Sequence, residues 1–388
     1  MRFDEFQEFR QRQLGGTPSL LDAAETNVYR ALAPLRPKPP AEPRTVHRCD
    51  LARAWLRRYE LPEEWSRRAM VSRGVRHGLG VVFHWLHAVR ARLWLPSDVY
   101  PVYFELARAA GLEPASYPTL PAPVLPGAAV VSGVPADDRP EYLLLANPSK
   151  PLGRYLSDAE CAAVISWLRG SPHRRLLIDS VYDLGAPFAA GTRRLLDTGR
   201  AVLLHSVTKG WLWPRTFGVV LLGPEPAESV QAESGQAELA QAFRADPPTP
   251  AQLLLADRLL TEHGDVPQQV VDELAVRAQR LFDRLPVEVV EAIPMASRTS
   301  PGNYFFPVGI PAETLQREYG VLAMPAGVFG ESDWSGSILT SLADAFGPTP
   351  ELGVRPPTAH GPSVRGLLED GGRVKQQSPH TPAPGPTR

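Results

Sequence analysis

The sequence predicts an α/β protein built on a largely parallel sheet with helices covering both faces. Three observations carry that expectation. Apolar runs at Tyr142–Ala146, Leu176–Ile178 and Ala201–Leu204 read as buried strands. They stand at helix-sized separations. Between the first two, Ser157-Asp158-Ala159-Glu160 is a cap pattern opening a helix that closes near Gly170. Strands that alternate with helices pair in parallel, and such sheets bind ligands at the carboxyl ends of their strands. Asn147, Asp179 and Lys209 each fall just beyond an apolar run.

Taken in order, the chain opens with a charged helical segment, a short ordered entry at Leu21–Asn27 and a Pro-rich crossing from Pro34 to Pro43. Asp50–Tyr59 reads as a helix whose apolar face is Leu51, Ala54, Trp55 and Leu56. Ser72-Arg73-Gly74-Val75-Arg76 is a turn that feeds a helical run from His77 to Arg90. Leu93–Leu95 is a strand, Pro96-Ser97-Asp98 a turn, and Tyr103–Ala110 a helix stopped by Gly111. After the central strands, residues 225–250 turn polar and read as a loop or mobile helix. Val266–Leu285 is a long amphipathic helix suited to crossing between domains, and 287–342 alternates short strands with turns, as a small α+β domain would. Beyond Phe346 the chain is rich in Pro and Gly and reads as disordered. These shifts divide it into an arm over 1–45, a large domain over 46–265, a small domain over 266–346 and a tail over 347–388.

Composition removes several function classes. A net charge of −1 leaves no electrostatic footprint for nucleic acid or an anionic membrane. Asp4 and Glu5 interrupt any signal-peptide pattern, and no stretch approaches the roughly 20 apolar residues of a membrane span. Cys49 and Cys161 make no disulfide framework and suit a reducing, cytoplasmic setting. His77, His84 and His87 share a helix face, but no Cys or carboxylate is placed to complete a metal site with them, so they read as packing or solvated histidines.

The chemistry concentrates in residues 200–222. The strand at Ala201–Leu204 delivers Ser206, Thr208 and Lys209 into a turn bounded by Gly210 and Pro214, and Phe217–Leu222 leaves as another strand. Burial at such a lip lowers a lysine's pKa and makes its amine a nucleophile. Ser206 and Arg215 supply a hydroxyl and a guanidinium suited to a phosphate dianion. Asp179, at the end of a buried strand, calls for a cationic partner, and Tyr182 follows three residues later.

These landmarks resemble the class I/II aminotransferases, pyridoxal-phosphate enzymes of the aspartate aminotransferase fold. Asn147-Pro148 with Pro151-Leu152-Gly153 is similar to the family's Asn-Pro-x-Asn-Pro-Thr-Gly turn. Asp179-Ser180-Val181-Tyr182 is similar to its Asp-Glu-x-Tyr, and Ser206-Val207-Thr208-Lys209 to its Ser-x-Ser/Thr-Lys. Pro96–Tyr103 resembles its Pro-x-Pro-x-Tyr-Pro-x-Tyr segment. Tyr319-Gly320-Val321-Leu322, with Pro325, Gly327, Phe329 and Gly330, resembles the small-domain approach to its substrate arginine. The likeness runs over about residues 20–343, with the five segments in register.

The resemblance implies a large domain with a mostly parallel, mixed seven-stranded sheet and a small α+β domain formed from both chain ends. It implies pyridoxal 5'-phosphate as cofactor, an amine or amino acid substrate, and a homodimer. Lys209 would form the Schiff base and shuttle a proton, with Asp179 on the pyridinium nitrogen and Tyr182 on the phenolic oxygen. Tyr100 would stack on the ring. Gly74, Val75 and Arg76 would offer backbone N–H groups to the phosphate, joined by Ser206 and Arg215, and Asn147 and Lys150 would lie beside the cofactor.

Two departures bear on the substrate. Leu339 stands where the family's arginine grips an α-carboxylate, and Lys150 replaces an asparagine that bonds the phenolic oxygen. The expectation is an aminotransferase-like enzyme of specialised biosynthesis with atypical carboxylate recognition. The alternatives are lyase, decarboxylase or cyclase chemistry on the same residues, a conventional aminotransferase using a relocated arginine such as Arg298, and a non-catalytic scaffold.

Overall fold

The central sheet places side by side the three strand ends singled out above. The computed structural model describes residues 2–16, 19–39, 45–99, 101–126, 139–214, 216–223, 230–330 and 333–347. Its strands are β1 (Leu21–Asp22), β2 (Ala69–Ser72), β3 (Arg92–Pro96), β4 (Ala115–Tyr117), β5 (Glu141–Ala146), β6 (Arg174–Asp179), β7 (Ala201–Ser206), β8 (Gly218–Leu221), β9 (Phe305–Val308), β10 (Val321–Leu322), β11 (Met324–Pro325) and β12 (Ser337–Thr340). Seven of them form one sheet in the order β2-β8-β7-β6-β5-β3-β4. The ladders from β7 through β4 are parallel, while β8 runs antiparallel to both β7 and β2. The sheet is therefore mixed and mostly parallel, with seven strands, as expected.

Burial on both faces explains the unbroken apolar runs. Along β5, Leu143 and Leu145 enter one core while Tyr142 and Leu144 enter the other; Leu176 and Ile178 oppose Leu177 in the same way on β6. The first core is covered by α3 (Arg48–Arg58), α6 (Asp158–Arg169), α7 (Ala190–Leu196) and α9 (Pro250–Thr261). The second is covered by α4 (Val75–Ala88), α5 (Val102–Ala109) and α8 (Val230–Ala245). The remaining helices are α1 (Phe3–Gly16), α2 (Val28–Ala31), α10 (Val266–Phe282), α11 (Val287–Glu291), α12 (Met295–Arg298) and α13 (Ala312–Tyr319). At the start of α6, Ser157 and Glu160 form a reciprocal capping box, as the sequence indicates.

The polar stretch read as a loop or mobile helix contains the 16-residue α8. Its Leu239 and Phe243 are buried in the second core, and Ala240 beside them is buried too, so this face docks the helix. The tail beyond Gly347 lies outside the described residues.

Both ends of the described chain meet beside the main sheet. β1 pairs in parallel with β10, Leu21 opposite Val321. Strands β11, β12 and β9 form an antiparallel sheet of their own. Together with α13 they enclose a third core around Phe306, Val308, Leu315 and Leu339. The amphipathic α10 joins two cores: Val270 and Leu274 pack into the first, Ala278 and Leu281 into the third.

Candidate functional site

The parallel register sets the site. Ala146 pairs with Asp179 and Asp179 with Leu204, so β5 and β6 end level and β7 runs two residues further, to Ser206. Asn147, Asp179 and the turn carrying Lys209 therefore share one rim of the sheet.

Asp179 is buried at the last position of β6. Burial pushes its carboxyl up to about 6, against the pull of three groups: the Tyr103 hydroxyl, the Val181 N–H and the Lys209 charge. Tyr103 donates to Oδ2 at 2.7 Å and Val181 N–H to Oδ1 at 3.0 Å. Tyr103 lies on the first turn of α5 and its hydroxyl rises well above the usual tyrosine range, chiefly through burial and then through Asp179.

Lys209 follows β7 in a turn where Thr208 N–H donates to Ser206 Oγ at 3.0 Å. Its ammonium lies 4.5 Å from the ring centroid of Tyr29 and 5.4 Å from that of Tyr182. The expected lowering of its pKa does not occur. Burial pulls it down, but the phenol groups of Tyr182 and Tyr29 outweigh that pull and hold it above the ordinary lysine value. Tyr29 sits on α2, and Arg36, just beyond, donates to the Tyr29 carbonyl at 3.0 Å. Trp213 Nε1–H donates to Pro37 O at 3.1 Å, so the Pro-rich crossing is fastened to the turn that carries Lys209.

The lysine that burial does depress is Lys150. Its pKa falls to about 7, through burial first and the nearby Lys209 charge second. Nζ donates to Asn303 Oδ1 at 2.8 Å and lies 5.2, 4.7 and 5.3 Å from the ring centroids of Tyr182, Tyr304 and Phe305. Asn303 also donates through Nδ2 to the carbonyls of Ser297 and Phe305, at 2.9 and 2.7 Å. It thereby ties the 147–153 turn to β9. Gly153, at φ +71°, is needed there: a Cβ would fall 1.9 Å from the Phe305 carbonyl oxygen.

Asn147 is fully buried and its amide is committed to fixing that same turn. Nδ2 donates to Thr192 Oγ1 at 3.0 Å and Oδ1 accepts from Leu156 N–H at 2.9 Å. Thr192 in turn donates to Asp183, a second buried carboxyl raised to about 6 by burial and bonded by Tyr155 at 2.9 Å.

Ser206, three residues before Lys209, belongs to a cup of small residues at the start of α4. Ser72, Gly218 and Ser206 stand in one row across β2, β8 and β7. Gly74, at φ +117°, caps the N-terminus of α4 immediately above it. A Cβ on Gly218 would meet the Gly74 Cα at 2.9 Å, so two glycines let the helix start approach the sheet. The unsatisfied N–H groups of the first turn, from Val75 and Arg76 onward, and the Ser206 hydroxyl suit an anion. Arg76 is exposed, and neighbouring Arg73 is paired with Asp246. Tyr100 and Arg215, expected on the ring and the phosphate, lie outside the described residues. Of the three histidines, His77 meets Asp246 at 3.1 Å, His84 the Gly80 carbonyl at 2.8 Å, and the His87 ring lies against Gly111.

Leu339 pairs with Phe306 and is fully buried in the third core, so β12 brings no cation to the site. Arg298 ends α12, half-buried, with its Nε buried and unpartnered. Three site tyrosines or partners were not singled out in the sequence: Tyr29, Tyr304 and the carboxylate role of Tyr103. Only Tyr103 left a signal, as the last residue of the Pro96–Tyr103 segment.

The sequence model of the family "Aminotransferase class I and II" matches residues 39–341. No significant match is found among curated proteins. Among solved structures, the chain is similar to YbdL from Escherichia coli, for which a methionine aminotransferase function was identified; identity is 18%, coverage 89% of this chain and 93% of that one, and the TM-score 0.59. It is similar to tyrosine aminotransferase from Leishmania infantum at 18% identity, over 84% and 89% of the two chains, with a TM-score of 0.60. A double mutant of the Thermus thermophilus aspartate aminotransferase matches at 16% identity, over 89% and 93%, also with a TM-score of 0.60. At these identities the likeness carries the fold alone.

Proposed function

We propose that this chain, which belongs to the class I and II aminotransferase family, is a pyridoxal-phosphate-dependent, aminotransferase-like enzyme acting on a small amine or amino acid. The observation that carries this is the buried carboxyl of Asp179 on the same strand-end rim as Lys209, beside the cup formed by Gly74, Ser206 and the start of α4. A buried carboxyl raised to about 6 is relieved by a cationic partner, and a protonated pyridine nitrogen is one.

When bound, the cofactor supplies an electron sink for a substrate carbon that has lost a proton. Asp179 would hold the ring nitrogen protonated, and Tyr103 would hold Asp179. Lys209 would carry the covalent link and then move the proton at the substrate carbon. Tyr182 would donate to the phenolic oxygen. The backbone N–H groups of Val75 and Arg76 and the hydroxyl of Ser206 would bind the phosphate, with Tyr100 and Arg215 assigned to ring and phosphate by family likeness. Because β12 ends in an apolar core, the substrate's acid group is gripped from elsewhere than in the family pattern. A cytoplasmic homodimer serving a specialised biosynthetic reaction is the accompanying proposal.

The test is direct. Purified protein with added pyridoxal phosphate should absorb in the visible, and borohydride should leave a pyridoxyl mass on the peptide bearing Lys209. Protein that stays colourless, or a label spread over other lysines, would overturn the reading. A screen of amines and amino acids against the bound chromophore then identifies the donor class.

A further inference from the structure

Lys150 and Lys209 flank one ring, that of Tyr182, at 5.2 and 5.4 Å from its centroid. Lys209 has a role in the reading above. Lys150 has none, and its surroundings are unusual for a cation. Its ammonium is enclosed by Tyr182, Tyr304 and Phe305 and has one conventional acceptor, the neutral amide oxygen of Asn303. Among the described residues no carboxylate pairs with it. An ammonium has three donors. One goes to Asn303, and three aromatic faces give the rest a weaker, non-directional attraction.

Enclosing a charge without a counter-ion is costly unless an anion completes the site. The strand that should supply the carboxylate grip offers Leu339, sealed in an apolar core. The site therefore has an anion receptor without a use, and a substrate whose usual anion receptor is missing. We propose that Lys150, oriented by Asn303, is the specificity-determining residue that binds the carboxylate of the substrate.

This rests on the functional reading above and extends it to the substrate class, an amine bearing a carboxylate. Asn303 sets the direction of the ammonium through its bonds to Ser297 and Phe305. The titratable groups facing Lys150 are Lys209, Tyr182 and Tyr304. Of these, Lys209 lowers the Lys150 pKa. Carboxylate binding raises it, so binding near pH 8 draws a proton onto Lys150.

Calorimetry with propionate and benzoate, and with propionamide as the neutral control, tests this on the full-length protein. The titrations are run at pH 8 in two buffers of different ionisation enthalpy. They are run on both the cofactor-treated, borohydride-reduced protein and the untreated protein, so that failure to label Lys209 is seen separately from failure to bind a carboxylate. Wild type should bind the carboxylates but not propionamide, with net proton uptake on binding. Lys150→Met should weaken binding about tenfold or more. Lys150→Arg, which keeps the charge and cannot titrate, should still bind but without proton uptake. Unchanged affinity in Lys150→Met overturns the proposal, as does loss of binding in Arg298→Ala with Lys150 intact. A shift of the cofactor's absorbance in Lys150→Met with carboxylate affinity unchanged would assign Lys150 to the phenolic oxygen, and also overturns it.

Discussion

The hydroxyl of Tyr103 donates to Oδ2 of Asp179 across 2.7 Å, joining the first turn of α5 to the last residue of β6. This bond works against burial and lowers the Asp179 pKa. Its loss in Tyr103→Phe should leave more of the carboxyl protonated and less able to pair with a ring nitrogen. Hydrogen bonds to charged groups are worth about 1.5–3 kcal/mol. The dissociation constant for pyridoxal phosphate should therefore rise about tenfold at pH 7, and the gap should narrow by pH 9, where the carboxyl ionises in both proteins. Equal affinities at pH 7 would sink this assignment.

Asp179 also sets a stability trend in the cofactor-free protein. Its folded pKa, about 6, lies above the roughly 3.9 of an unfolded aspartate. Between those values the folded state binds more protons, so stability falls as pH rises through that window and stays lower above it. A shift of this size corresponds to roughly 2–3 kcal/mol. Asp179→Asn should therefore be the more stable protein at pH 8 without cofactor and match wild type near pH 4, with the order reversed at pH 8 under saturating cofactor. Urea melts at the two pH values measure it.

His205 produces the opposite slope. It lies buried on β7, accepting from Trp55 Nε1–H at 3.1 Å with its other ring nitrogen 3.3 Å from the Tyr59 hydroxyl. Burial drives its pKa down to about 3, against roughly 6.5 unfolded. The unfolded state binds the extra proton between those values, so stability contributed by neutral His205 is lost as pH falls from 6.5 toward 3. His205→Phe strands the Trp55 indole N–H and removes the ring N–H that the Tyr59 hydroxyl accepts, and should cost about 1–3 kcal/mol at pH 7. Its deficit should shrink steadily down to pH 4; a constant deficit in thermal melts across that range would contradict this account.

Gly218→Ala tests the cup. The added Cβ would lie 2.8 Å from the His205 carbonyl oxygen and 2.9 Å from both Gly74 Cα and Ser72 Oγ, the first two being backbone atoms that cannot swing away cheaply. The start of α4 must lift from the sheet. Strain of this kind costs about 1–3 kcal/mol, and affinity should fall for pyridoxal phosphate but much less for pyridoxal. Equal loss for both would show that Gly218 does not shape a phosphate site.

Much of this arrangement was legible in the chain, for identifiable reasons. Strands β5, β6 and β7 are buried on both faces, so they appear as unbroken apolar runs whose ends can be read directly. Asp179 and Lys209 were legible because they follow those ends. The helix α8 read equally as a loop, because Gln, Glu and Ser are interspersed with Ala along it, and the buried large side chains described on it are Leu239 and Phe243. Tyr29 was equally hidden: it lies 180 positions from Lys209, and nothing local to α2 indicates that its ring will meet that amine.

By itself, the sequence determined which residue types end which strands, and hence the fold, the family and the rim on which Asn147, Asp179 and Lys209 gather. Periodicity, caps and turn residues are local properties, and they suffice for that. The tertiary structure alone decided the electrostatic character of the two lysines. A lysine's pKa depends on what surrounds its ammonium, and those neighbours arrive from distant segments: Tyr29 from α2, Tyr304 and Asn303 from the region before β9. That is why Lys209, expected to be depressed, is held up by two phenol groups, while Lys150, enclosed by rings and repelled by Lys209, is the one brought down to about 7.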